Sequence, residues 1–75
     1  MKLLKTGAVA LNQTPLDWIG NKNNIIKSIE KAKETDIQLL CLPELCISGY
    51  GCEDAFYSPD TARISLEILL DIVDY

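Results

Sequence analysis

The chain has 75 residues, 48% of them hydrophobic and 24% charged, with a formal net charge of −4. That length holds one small domain at most, or a piece of a larger one. Leu, Ile and Val fill 22 positions, too many for a disordered tail; seven scattered basic residues against eleven acidic ones argue against a nucleic-acid partner, and apolar runs of at most four residues against a membrane span.

The head, MKLLK, resembles the start of a signal peptide, but Lys5, Thr6 and Gly7 break it and no apolar stretch of signal length follows. Residues 3–11 form a mostly apolar run suited to a strand buried on at least one face. Asn12-Gln13-Thr14-Pro15 is a loop signal. A helix is predicted over 21–35, where Ile25, Ile26, Ile29 and Ala32 make one stripe and Lys22, Lys27, Glu30, Lys31 and Glu34 dress the other side. Asp36 ends it. Residues 37–42 read as a second strand whose near-continuous apolar character suits a sheet covered on both faces. Strand, helix and strand with short links predict a parallel pair joined by a right-handed crossover.

A loop is predicted over 43–58, followed by a helix from Pro59 to the end. Ser58 suits its cap, Pro59 its first position and Asp60 its dipole. Ile64, Ile68 and Ile72 make its apolar stripe, with Leu69 and Val73 beside them. Asp71 and Asp74 fall in the last turns, where the dipole disfavours them, and no stop signal follows. The expectation is therefore that the chain is the beginning of a longer protein.

Cys41, Cys46 and Cys52 are an odd number of thiols with no CxxC spacing, and the chain has no histidine. They fit neither a disulfide framework nor a common zinc site, which suggests reduced thiols in a cytoplasmic protein with no bound metal. With no basic residue between Lys33 and Arg63, none of the thiols has an evident activator. Trp18 reads as a packing anchor.

Ligands of parallel sheets bind beyond the carboxyl ends of the strands, so the loops after each strand are the candidate sites. The first loop lacks a phosphate-binding glycine pattern. The second carries Glu44, directly after an apolar strand and a proline. A partly desolvated carboxylate there suits a general base; a turn cap or a lysine pair is the structural alternative. Gly49 and Gly51 flank Tyr50, which either faces a site or packs as the edge of the core.

Leu42-Pro43-Glu44-Leu45, followed by Ser48-Gly49-Tyr50, resembles the first signature of the nitrilase, or carbon–nitrogen hydrolase, superfamily. Val9-Ala10-Leu11-Asn12-Gln13 fits that family's opening. The longer string from Pro43 to Asp54, above all Gly51-Cys52-Glu53-Asp54 after Tyr50, is similar to the glutaminase domains of the glutamine-dependent NAD⁺ synthetase family. The resemblance implies an α/β fold: residues 1–75 as the opening β-α-β-α of a nitrilase-type α-β-β-α sandwich, incomplete in this chain. It also implies Glu44 as general base and Tyr50 as a substrate-pocket wall, with the catalytic lysine and nucleophilic cysteine outside these residues and the isolated chain inactive. Glutamine would be the substrate, and the rest of the hydrolase domain and a synthetase domain the partners, in a homo-oligomer. The glutaminase part would need no cofactor; ATP and Mg²⁺ would serve the synthetase domain. The rival readings are another amidohydrolase of the superfamily and a non-catalytic α/β module that docks through its last helix.

Overall fold

The first apolar run becomes a strand only where it meets the second. In the structure, a computed structural model that describes residues 3–75, β1 is Thr6–Ala8 and β2 is Leu39–Cys41. They pair in parallel, with Thr6 opposite Leu39, Gly7 opposite Leu40 and Ala8 opposite Cys41. The expected spans of 3–11 and 37–42 are thus too long at both ends. Beyond the paired residues the contact continues at Lys5, whose carbonyl accepts from the Gln38 N–H (2.8 Å) and, at longer range, from the Leu39 N–H (3.4 Å), and at Val9, whose N–H donates to the Cys41 carbonyl (3.1 Å). Met1 and Lys2 of the signal-like head lie outside the described residues.

Helix α1, Trp18–Glu34, connects the two strands. It starts three residues before the predicted start because Asp17 caps it, its carboxylate accepting from the Gly20 N–H at 3.1 Å. Trp18 therefore opens the helix and is half-buried. At the other end Asp36 stops the helix as expected, taking φ +58° just beyond the Thr35 cap. The Ile37 N–H reaches back to the Ala32 carbonyl (2.9 Å) and the Asp36 N–H to that of Lys33 (3.2 Å). This is the paired closure usually built on glycine, with aspartate in the left-handed position. Ile25 and Ala32 of the predicted stripe are buried, and Ile26 and Ile29 are half-buried. β2 is covered less than expected: Leu39 and Cys41 are exposed and Leu40 is half-buried.

The segment predicted as a loop over 43–58 contains a 3₁₀ turn at Glu53–Tyr57. Helix α2, Pro59–Ile72, starts where expected but stops three residues short of the predicted end, with Val73 as its cap; the Ser58 hydroxyl accepts from the Asp60 N–H (3.2 Å) and Pro59 lies in the first turn. Thr61 ties the two together, its hydroxyl donating to the Ala55 carbonyl at 2.6 Å. Asp71, awkward for the dipole of α2, is partnered instead by Lys22 of α1 at 3.2 Å. Ile72 is buried and Ile64 and Ile68 half-buried, while Leu66, Leu69, Leu70 and Val73 are exposed.

Among the described residues, the result is a mixed α/β unit of a parallel two-stranded sheet and two helices, with α2 packed against α1 and the 3₁₀ turn. It is open. Its Cα radius of gyration is 13.7 Å, against roughly 11 Å for a compact domain of this length. Among the described residues, no helix is long and apolar enough to cross a membrane. Replacing Ser58 with Ala is expected to lower stability by about 1 kcal/mol, read as a lower urea midpoint at unchanged slope.

Candidate functional site

Because the strands are parallel, the chain leaves both of them at the same end of the sheet, and the two departing loops meet there. The first makes a turn from Thr14 to Asp17, closed by the Asp17 N–H on the Thr14 carbonyl (3.1 Å). Pro15 suits the second position of such a turn, but Leu16 holds φ +59°, a value that normally calls for glycine. The second loop turns through 44–48, with the Gly49 N–H on the Leu45 carbonyl (2.7 Å) and Leu45 itself at φ +52°.

Three donors join these loops. Gln13 Nε2 donates to the Cys46 carbonyl (2.6 Å), Asn21 Nδ2 to the Ile47 carbonyl (3.0 Å) and the Leu16 N–H to the Ser48 carbonyl (2.7 Å). Asn21 is only 1% exposed. Its Nδ2 also donates to the Thr14 carbonyl (2.8 Å), and its Oδ1 accepts from the Thr14 N–H (3.0 Å). Gln13 Nε2 donates further to the Asn21 carbonyl (3.1 Å), and its Oε1 accepts from Asn24 Nδ2 (2.8 Å). Both amides thus spend all of their donors inside the protein. The loops lie so close that a Cβ on Gly49, at φ +86°, would sit 2.6 Å from the Thr14 carbonyl oxygen.

Glu44 opens the second loop and is exposed, not partly desolvated as its position after an apolar strand suggested. The reason is that β2 is itself poorly covered at that end, where Cys41 is exposed. The alternative of a lysine pair does not hold either, since Glu44 takes no part in the ion pairs of the described residues. Tyr50 lies between Gly49 and Gly51 (φ +80°) and is 54% exposed, so it is not packed as a core edge. Both candidates therefore sit on one loop with their side chains accessible. A hollow of about 240 Å³ adjoins that loop, lined by Leu45, Cys46, Ile47, Ser48 and Ser65. A larger open groove of about 470 Å³ runs between β1 and α1, past Val9, Leu11, Lys27 and Ile37, and includes neither candidate.

The thiols differ in environment. Cys41 is exposed. Burial pushes the Cys46 thiol above its ordinary value, against the lowering effect of a backbone hydrogen bond. Cys52 is buried, its Sγ donating to the Ser48 and Gly49 carbonyls (3.3 and 3.2 Å). Among the described residues, no group of three or more His, Cys, Asp or Glu side chains is placed to hold a metal ion. The residues missed in the sequence are Asn21 and Gln13. The available signal for Asn21 was its place four residues before Ile25, on the buried stripe.

The carbon-nitrogen hydrolase family pattern matches residues 5–73, and the chain belongs to that family. Its similarities are narrower than the family. It is 41% identical over 73 residues to the glutamine-dependent NAD(+) synthetase of Oryza sativa subsp. indica, covering 97% of this chain and 10% of that protein. It is 46% identical over 65 residues to the enzyme of that name from Homo sapiens, covering 87% of this chain and 9% of the relative. The crystal structure of a glutamine-dependent NAD(+) synthetase from Cytophaga hutchinsonii superposes with a TM-score of 0.90 at 48% identity, over 92% of this chain and 12% of that one. The chain thus spans about a tenth of the length of the relatives it matches.

Two outcomes follow from this geometry. Alkylation in the folded state is expected to label Cys41 first and Cys46 slowly, accelerating only above the ordinary thiol value of 9.0, with Cys52 labelled only on unfolding; mass mapping of the modified peptides reads the order. Gly49→Ala is expected to destabilise by about 2–4 kcal/mol, combining left-handed strain with a clash against backbone, measured by denaturant titration.

Proposed function

We propose that these 75 residues are the opening stretch of the glutaminase domain of a glutamine-dependent NAD⁺ synthetase, and that Glu44 is that domain's general base. The observation that carries this reading is similarity over nearly the whole chain to enzymes of that one name, beyond membership of the hydrolase family. The loop geometry supports it: Glu44 and Tyr50 stand accessible on one loop at the carboxyl end of a parallel sheet, where such folds bind ligands. The remainder of the domain completes the four-layer α-β-β-α sandwich and supplies a lysine and a nucleophilic cysteine.

In this reading the Glu44 carboxylate takes the proton from the cysteine thiol. The thiolate adds to the amide carbon of glutamine. The C–N bond breaks, and ammonia leaves with the proton returned by Glu44, which gives a glutamyl thioester. Glu44 then deprotonates water as it attacks the thioester; the C–S bond breaks, glutamate departs and the thiol regains its proton. Tyr50 forms part of the wall of the glutamine pocket. The ammonia serves amidation of adenylylated deamido-NAD⁺ in a synthetase domain, which is where ATP and Mg²⁺ act. The described residues do not fit those groups: they hold no cluster of potential metal ligands and no glycine-rich phosphate loop. The glutaminase chemistry itself calls for no cofactor. A homo-oligomer in the cytoplasm, where three free thiols stay reduced, completes the assignment.

Glu44→Gln in the intact synthetase is expected to cut glutamine hydrolysis by roughly 10²- to 10⁴-fold. NAD⁺ synthesis fed with ammonium chloride should be unchanged. Undiminished hydrolysis would sink the reading and favour the non-catalytic module that the exposed leucines of α2 suit.

A further inference from the structure

We propose that Asn21 and Gln13 are positioning residues for Glu44, holding its loop in the one conformation that presents the carboxylate. This rests on the assignment of Glu44 as general base. The observation is that three consecutive carbonyls just after Glu44, those of Cys46, Ile47 and Ser48, are all taken by donors from residues 13–21. These contacts span 26 to 33 residues of sequence, so the loop is tied to a different element and not to itself.

Peptide planarity makes three fixed carbonyl directions a fixed backbone path. The Gly49 N–H on the Leu45 carbonyl closes that path, and the turn it closes keeps Leu45 left-handed directly after Glu44. A leucine there relaxes unless its surroundings over-determine it, and strain of this kind collects at functional sites. Leu16, the other left-handed leucine of the pair of loops, donates to the Ser48 carbonyl and is held by the same junction.

The identity of the buried residue points the same way. The core positions Ile25 and Ala32 on this face of α1 are apolar, and an apolar side chain at 21 would extend the stripe. Asn21 instead carries a buried amide whose contacts reach off the helix, to Thr14 and to Ile47. A buried amide is tolerated only when bonded and gains little over an apolar substitute. What it supplies here is direction.

The test uses Asn21→Ala and Gln13→Met in the intact synthetase, beside Glu44→Gln. The readouts are kcat and KM for glutamine, the pH profile of hydrolysis, and ammonium-fed NAD⁺ synthesis. The expected result for Asn21→Ala is a kcat lower by roughly 10- to 100-fold, a little-changed KM, a displaced acid limb of the pH profile and normal ammonium-fed synthesis. Gln13→Met, at a less buried site and with volume retained, is expected to show the same pattern more weakly; it decides the question if Asn21→Ala does not fold. Wild-type kcat with an unmoved acid limb would overturn the proposal. So would a parallel loss of both activities with the limb unmoved, since that is instability alone. If Glu44→Gln hydrolyses glutamine normally, it is the base assignment that fails.

Discussion

One buried amide organises this structure. Asn21 sits in the first turns of α1 and uses its Nδ2 and Oδ1 on the backbones of both loops that leave the sheet. Without it, the Thr14 N–H and the Ile47 carbonyl lose their side-chain partner, while the Thr14 carbonyl keeps the Asp17 N–H; a buried polar group left unpaired costs about 1–3 kcal/mol. The Thr14–Asp17 turn, the start of α1 and the loop carrying Glu44 all meet at that one side chain. Gly49 is the steric counterpart: only a residue without a Cβ lets the second loop come this close to the first.

Local chemistry made much of the fold legible. Ser58-Pro59-Asp60 announced α2 to the residue, because cap, first-turn proline and dipole charge are all local signals. The α1 stripe showed through its 3.6-residue period, and Asp36 marked its end. The start of α1 did not, since its cap, Asp17, is also the last residue of a turn closed on the Thr14 carbonyl. Strand lengths were misjudged for a related reason: apolar runs are visible in one dimension, but ladder length is set by the partner strand.

The candidate site divides in the same way. Glu44 and Tyr50 are candidates by position and by resemblance, and the glycines beside Tyr50 do take the left-handed backbone that their type allows. Their environment was not legible. Position after an apolar strand suggested a desolvated carboxylate, yet burial is a tertiary property, and across these residues nothing covers Glu44. Asn21 escaped notice because asparagine on a helix usually means a solvated face. Only the approach of a loop 26 residues away turns it into a core residue.

The sheet has a consequence for how this segment behaves alone. Among the described residues the sheet has two strands, so β1 and β2 are both edges, and each presents an outer row of backbone groups with no strand partner. Natural sheets blunt such edges with charge, proline or a covering element. Here Leu39, Ala8 and Cys41 lie exposed along them, and Lys5 is the one charged residue directly beside β1. A net charge of −4 keeps copies apart at a distance but does little against strand addition at contact. Free in concentrated solution, the segment would therefore grow its sheet by recruiting other chains, giving a solubility that falls with added salt as the charge is screened.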